Sequence, residues 1–369
     1  MRGEKSLGRK TPRSAIVLTY GLIGLFLHAQ TRAPRDFVEG RKRLRSSTCP
    51  KDGIVSEAFD VITMGRCGVD FYPTEHGSLV QVKHFDKFLG GSPTNVAVAA
   101  ARLGRRSALI SRTGPDPFGA YVHEALRSFG VDDRYVTDVA GFQTPVTFCE
   151  TFPPDHFPIY FYREPKAPDL EIYPEDLDVD AIKATRLFWA SLGGLSKEPS
   201  RSATLSALRS RERHHPTVLD LDYRPSFWNS PDEAHACAIE ALEFATIAVG
   251  NLSEVEVAVG NAGPDEAADR LLEFGCQVAV VKLGPKGVLA KTSSERIEVA
   301  PIDVEVVNGL GAGDAFGGAL CHGVLADWTL AETLRFASAA GAIVASRLSC
   351  SEAMPTNEEV RKLLEGECP

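Results

Sequence analysis

The sequence predicts an α/β fold: a doubly wound, mostly parallel sheet flanked by helices, with a small β lid set apart from it. Three observations carry this expectation. From about residue 56 onward, short apolar runs alternate with amphipathic segments, the rhythm of strand–helix–strand units. Several helical segments are followed at once by a glycine, the residue best suited to a left-handed stop. Two stretches, about 67–90 and 143–165, break the rhythm with period-two alternation, Pro-containing turns and no helix.

In chain order, the first strand is expected within 59–65. The first excursion follows, with its alternating run at 79–82 read as an antiparallel strand leaving the main sheet. A helix over 95–103 is closed by Gly104, a strand covers 107–111, and a helix over 121–129 is closed by Gly130. The second excursion carries the alternating run 147–152. Further strands are expected at 187–190, 217–221, 247–249 and 278–283, with helices at 231–243, at 262–274 (closed by Gly275) and at 316–325. Such β excursions can form a lid that excludes water from a site. A purely structural flap is the alternative.

At 369 residues the chain has room for one large domain or two ordinary ones. Its 44% hydrophobic and 24% charged residues are the make-up of a soluble globular protein. The net charge of −9 is unevenly spread: residues 1–46 hold 11 Lys and Arg against 3 Asp and Glu, a balance of +8, so the remainder carries −17. An acidic body argues against nucleic acid as partner, because phosphate backbones attract basic surfaces. The eight cysteines form no Cys-x-x-Cys pair and the nine histidines no metal spacing, so reduced, mostly buried thiols of a cytoplasmic protein are expected. Residues 1–55 read as a basic extension, disordered or a mis-assigned start. Arg2, Lys5, Arg9, Lys10 and Arg13 precede an apolar run over 15–29 that resembles a signal-peptide core. That run is short of the roughly 20 residues of a membrane span, so no membrane association is expected of the core. Met64 falls inside the first strand, so a shorter protein would begin at a codon such as that of Val38 or Val55.

The chemistry concentrates in Val307-Asn308-Gly309-Leu310-Gly311-Ala312-Gly313-Asp314, ahead of the apolar helix. Glycine lets consecutive N–H groups converge, and a helix N-terminus adds partial positive charge. Gly311, Ala312 and Gly313 therefore read as a cradle for an anion, with Asp314 at its edge as a base. An anion hole beside a base is what phosphoryl transfer to a hydroxyl requires. An ordinary glycine-rich loop is the plain alternative. In Gly90-Gly91-Ser92-Pro93-Thr94-Asn95, Gly91 permits close approach of a substrate and Asn95 offers it a donor and an acceptor. Asp70 supplies a carboxylate for neighbouring hydroxyls, although a turn acid and a capped helix start explain these residues too. Asn251 and Glu254 lie at i and i+3 on a helix start past a buried strand, a spacing suited to a hydrated Mg²⁺ and equally to a capping box. Arg163 and Arg224 are suited to a two-pronged grip on a carboxylate, or to ordinary salt bridges. Gly65-Arg66-Cys67-Gly68-Val69-Asp70 lacks the third glycine of a dinucleotide fingerprint, which argues against a nicotinamide oxidoreductase.

Taken together and in this order, Gly90-Gly91 through Asn95, Asn251-x-x-Glu254 and Gly311-Ala312-Gly313-Asp314 resemble the ribokinase-like (PfkB) sugar kinases, over about residues 56–360. Finer stretches are similar to one branch of that family, which acts on the open-chain acid 5-dehydro-2-deoxygluconate in myo-inositol catabolism. They are Gly65-Arg66-x-Gly68-Val69-Asp70, Tyr162-Arg163-Glu164-Pro165-Lys166-Ala167-Pro168-Asp169-Leu170, Asp220-Leu221-Asp222-Tyr223-Arg224-Pro225 and Ala353-Met354-Pro355-Thr356.

The resemblance implies one ribokinase-like domain over 56–369, with lid segments at about 67–90 and 143–165. It implies ATP as co-substrate and Mg²⁺ as cofactor. Asp314 becomes the base, Gly311 to Gly313 the anion hole, and Asn251 and Glu254 the organisers of Mg²⁺ and phosphate. Asp70, Gly91 and Asn95 would hold the hydroxyls of the substrate. Arg163, with Arg224 near it, would take the carboxylate of a sugar acid. Asn251, Lys282, Gly284, Gly287, Ala339 and Ala342 would line the nucleotide, and the lid would mediate a homodimer. Neutral Asn308 stands where many relatives carry an Asp, which puts a monovalent cation in doubt, and Gly309 is expected to loosen the turn. The activity implied is phosphorylation of the C6 hydroxyl of 5-dehydro-2-deoxy-D-gluconate. Alternatives are 2-dehydro-3-deoxygluconate or another sugar as acceptor, or a non-catalytic sugar-acid sensor.

Overall fold

The computed structural model describes residues 58–366; the extension expected over 1–55 lies outside them. The described strands are β1 (Val61–Met64), β2 (Gly68–Pro73), β3 (Phe85–Gly90), β4 (Ser107–Thr113), β5 (Val131–Asp132), β6 (Val136–Asp138) and β7 (Val146–Cys149). They continue with β8 (Ile159–Tyr162), β9 (Leu187–Ser191), β10 (Thr217–Asp220), β11 (Ile247–Asn251), β12 (Val278–Lys282), β13 (Val288–Lys291) and β14 (Arg296–Val299). The helices are α1 (Ser92–Arg102), α2 (Pro117–Ser128), α3 (Val179–Ala184), α4 (Ser200–Ser210) and α5 (Pro231–Leu242). After them come α6 (Leu252–Val259), α7 (Pro264–Glu273), α8 (Ala312–Leu325), α9 (Leu330–Ala345) and α10 (Asn357–Leu364).

The main sheet runs β14-β13-β12-β11-β10-β9-β1-β4-β5, with β6 also beside β4. From β12 to β5 every pairing is parallel; only the β12–β13–β14 edge is antiparallel. Strands covered on both faces read as nearly continuous apolar runs, and β1, β4, β9 and β10 are buried throughout. Alternate residues feed two cores. Val61, Leu187 and Trp189 pack with α1, α2, α8, α9 and α10, while Ile62, Met64 and Phe188 pack with α3 to α7.

Helices α1 and α2 begin earlier than apolar periodicity predicts, because caps and prolines build their first turns. Asp116 accepts from the backbone N–H groups of Phe118 and Gly119, so α2 begins at Pro117 rather than 121. In the same way α1 starts at Ser92, three residues before Asn95. The placement of α8 depends on close packing: a Cβ on Gly318 would lie 2.3 Å from that of Ala99. The two helices therefore touch backbone to backbone, which carries the start of α8 to the start of α1.

The lid is a separate sheet in the order β3-β2-β7-β8. β2–β3 and β7–β8 are antiparallel as expected, but β2 and β7 run parallel, because the main-sheet segment β4 to β6 intervenes between them. Residues 79–82 form a turn rather than a strand, with Val80 95% exposed; the strand is Phe85–Gly90. The run 147–152 keeps strand geometry only to Cys149. Paired residues share a face, so Phe88, Asp70, Thr147 and Phe161 form one cross-strand row. Lys87, Phe71, Phe148 and Tyr160 form the opposite row, where Phe71 stacks on Phe148 at 4.9 Å and meets Phe118 of α2 edge-on. Among the described residues no helix is long and apolar enough to cross a membrane.

Candidate active site

The site lies where β10, β11 and β12 end beside the start of α8. Gly311 caps α8 with φ +82, and a Cβ there would meet the Cys350 sulfur at 2.7 Å. Ala312, Gly313 and Asp314 make the first turn. The N–H groups of such a turn have no partner within the helix and point along its dipole. Asn308 is fully buried: its amide donates to the Leu348 carbonyl at 2.6 Å and accepts from the Leu310 N–H at 3.1 Å. Both ends of that amide are engaged in holding the loop. The turn is not loosened at Gly309 either. The ring of Phe157, from the lid connection between β7 and β8, rests on it, 3.2 Å from where a Cβ would stand.

Asp314 is held by α1. Asn95 donates from Nδ2 to Asp314 Oδ2 at 2.8 Å, and its own oxygen accepts from Ser351 Oγ at 2.7 Å. Asn95 thus orients the Asp314 carboxylate, and its second N–H remains available to a ligand. Burial raises the Asp314 carboxyl to about 6 and the Asp222 charge adds to the rise, while the Asn95 hydrogen bond and the charge of Lys282 oppose it. A base poised near neutral pH suits proton transfer.

Lys282, at the end of β12, points at the same turn: a Cβ on Gly313 would lie 3.2 Å from its Nζ. Burial depresses this ammonium, but the carboxylates of Asp220, Glu254, Asp314 and Asp222 raise it overall, so it stays charged. Asp220 is buried, with Oδ1 lacking any partner, and burial lifts its carboxyl against the pull of Lys282. Asn251 and Glu254 form a reciprocal capping box on α6: Asn251 Oδ1 accepts from the Glu254 N–H at 2.9 Å, and Glu254 Oε2 accepts from the Asn251 N–H at 2.8 Å. Beside them a hollow of about 410 Å³ is lined by Asn251, Leu252, Ser253, Lys282 and Gly284 among others. Gly287 and Ala339 do not offer a surface there. Gly287 belongs to a tight hairpin in which a Cβ would strike the Val299 carbonyl at 2.0 Å, and Ala339 is 0% exposed in the core. Ala342 is half-buried, on the same helix as Ala339.

On the lid side, Asp70 is buried under Gly90, with Oδ1 lacking a partner; burial raises its carboxyl while Arg66 and Thr147 lower it. Gly91, at φ +110, lets the chain pass within contact of the Arg66 carbonyl. Arg163 pairs with Asp169 at 2.9 Å, both side chains buried, and stacks on Phe227 at 4.5 Å. Arg224 pairs with Asp222 at 2.5 Å. Asp314 and the Gly311–Gly313 turn, singled out from the sequence, thus stand together at the start of α8; Ser351 and the reach of Lys282 to Gly313 carried no sequence signal. Among the described residues no three His, Cys, Asp or Glu side chains converge on a common point.

A profile of the pfkB family carbohydrate kinases matches residues 58–357. The chain is 33% identical over 317 residues to 5-dehydro-2-deoxygluconokinase of Clostridium perfringens, covering 84% of this chain and 94% of that protein. A putative ribokinase II of E. coli, solved with ATP and Mg²⁺, superposes with a TM-score of 0.77 at 22% identity, covering 84% of this chain and all of that one. A fructokinase of Vibrio cholerae, solved with fructose, ADP and calcium, gives a TM-score of 0.72 at 25% identity, covering 83% and 99% of the two chains.

Proposed function

The chain belongs to the pfkB family of carbohydrate kinases, and on that premise we propose that it transfers the γ-phosphoryl group of ATP to the C6 hydroxyl of 5-dehydro-2-deoxy-D-gluconate. The observation that carries the reading is the Asn95–Asp314 hydrogen bond at the open start of α8. It sets a base with a pKa of about 6 beside free helix N–H groups and the Lys282 ammonium. Asp314 takes the proton of the C6 hydroxyl as its oxygen bonds to the γ-phosphorus. The bond from that phosphorus to the β-γ bridging oxygen breaks, and ADP leaves with the electron pair. The N–H groups of the Gly311–Gly313 turn and Lys282 receive the charge on the moving group. Asp70, Gly91 and Asn95 face the acceptor, with Arg163 and Arg224 on the same side.

The donor set fits Mg²⁺: Glu254 and Asp220 are hard oxygen ligands, and the buried Asp220 Oδ1 has no protein partner. Asn251, Glu254 and Asp220 would hold the ion through water, where it neutralises phosphate charge. The six described cysteines are buried and unpaired, which fits the cytoplasm we assign to the reaction. Tyr162, 61% exposed on the outer face of the lid, is the feature that favours the homodimer we include in this reading.

A coupled ADP-release assay on the two candidate acids tests the substrate. We expect kcat/KM at least about tenfold higher for 5-dehydro-2-deoxygluconate than for 2-dehydro-3-deoxygluconate, the margin of one well-made polar contact. The reverse order would move the assignment to the second acid. Calorimetric binding of either acid without ADP release would make the chain a sensor.

A further inference from the structure

The family resemblance directs a substrate carboxylate to Arg163, but the charge of Arg163 is already matched. Its guanidinium is ion-paired to Asp169 at 2.9 Å, and both side chains are all but buried, at 8% and 3% exposure. Arg224 is matched by Asp222, and Lys166 by Glu171. A cation whose charge is cancelled in the free protein contributes little net attraction to an anion. Arg66 differs. Its guanidinium forms no ion pair and no hydrogen bond to any described residue, and it lies over the Phe161 ring at 5.1 Å.

That ring fixes its location. Phe161 shares the cross-strand row of Asp70, so the guanidinium stands against the same face of the lid as the acid expected to hold the hydroxyls. The two groups are near enough for the Arg66 charge to lower the Asp70 carboxyl, yet too far apart for a direct ion pair. The root of the side chain is also held, because the Arg66 carbonyl accepts from Thr94 Oγ1 at 3.0 Å at the start of α1. Beyond Phe161 the series continues through Phe227, edge-on at 5.0 Å, to Arg163. The order Arg66, Phe161, Phe227, Arg163 puts the unpaired cation at one end and the neutralised one at the other.

We propose that Arg66, not Arg163, supplies the charge that selects an acidic substrate: its guanidinium takes the carboxylate in two-pronged fashion while Asp70 holds hydroxyls further along the chain. Arg163 is then a positioning residue that sets Phe227 and, through it, Phe161. This inference rests on the sugar-acid reading above.

The test compares the sugar acid with its C1-alcohol analogue. In Arg66→Gln, KM for the acid should rise about 10- to 100-fold, the range for one charged hydrogen-bonding group. KM for ATP should stay within about twofold and KM for the alcohol should rise far less than that for the acid, with Arg66→Lys restoring part of the preference for acid. In Arg163→Gln, acid and alcohol should suffer alike. If Arg66→Gln keeps the acid-to-alcohol preference, or Arg163→Gln abolishes it, the assignment to Arg66 is wrong while the sugar-acid reading stands. If the wild type itself uses the alcohol as well as the acid, the sugar-acid reading fails and this inference fails with it.

Discussion

The start of α8 and the face of the lid above it handle their polar groups in opposite ways. Around α8, Asn95 joins Asp314 to Ser351, and Asn308 ties its loop to Leu348 and Leu310. Under the lid, Asp70 Oδ1 is buried without a partner, and Arg66 forms no ion pair among the described residues. Buried polar atoms are normally satisfied. Apart from Asp220 Oδ1, the first region is therefore arranged before any ligand arrives, as electrostatic preorganisation requires. The second is left to be completed by what binds. Transfer chemistry shared by a family can be fixed in the fold, while acceptor recognition is written in atoms that wait for an acceptor.

The largest expected effect comes from breaking the arranged half. Asp314→Asn should lower kcat by at least about a thousandfold, within the range for a positioned base, with sugar-acid binding by calorimetry little changed. The same substitution should stabilise the fold. An acid whose folded pKa of about 6 lies above its ordinary value of 3.8 binds protons more tightly when folded, so its contribution to stability is lost as pH rises from 3.8 through 6. The thermal midpoint of Asp314→Asn should therefore exceed that of the wild type at pH 7.5, and the gap should close below pH 5. A lower midpoint at pH 7.5 would show that the site is not strained by this charge.

A smaller change sharpens the role of Asn95. In the wild type kcat/KM should fall below about pH 6 as the base protonates, because this ratio reports the free enzyme. The Asn95 hydrogen bond lowers that pKa, so Asn95→Leu should move the acid limb upward as well as reduce the rate. An unmoved limb would return Asn95 to simple substrate contact. The smallest effect separates two nearby glycines. Gly311→Ala meets both a left-handed backbone, at about 1–2 kcal/mol, and the Cys350 sulfur, and should depress both midpoint and turnover. Gly309→Ala needs only a slight shift of the Phe157 ring and should stay within a few-fold of wild-type turnover. Equal effects would mean that the ring holds the loop as firmly as the helix start does.

Much of this was legible in the sequence, and the rest was hidden for identifiable reasons. The strand–helix–glycine rhythm located the main sheet because each unit buries one face locally. The Gly311–Asp314 turn stood out only in company with Asn95 and Asn251-x-x-Glu254, since an acid in the first turn of a helix is ordinary by itself. Alternation misled at 79–82, where Val80 faces solvent, since a period of two reports side-chain direction without naming a neighbouring strand. The partners of Asp314 were out of reach: Asn95 lies 219 residues away, and close packing of Gly317 and Gly318 on α1 brings the two together. Lys282 was expected among the residues lining the nucleotide, not beside the anion turn. Its value comes from Gly313, which leaves room for its ammonium.

The box formed by Asn251 and Glu254 bears on how inactive descendants of such a kinase would look. Both side chains satisfy backbone N–H groups that α6 needs whether or not phosphate is ever moved. A copy that had stopped turning over substrate would gain nothing by losing them, whereas the charge of Asp314 burdens the folded state at neutral pH and would be shed readily. Of the two signatures, the pair on α6 records ancestry, and the single acid on α8 records present use.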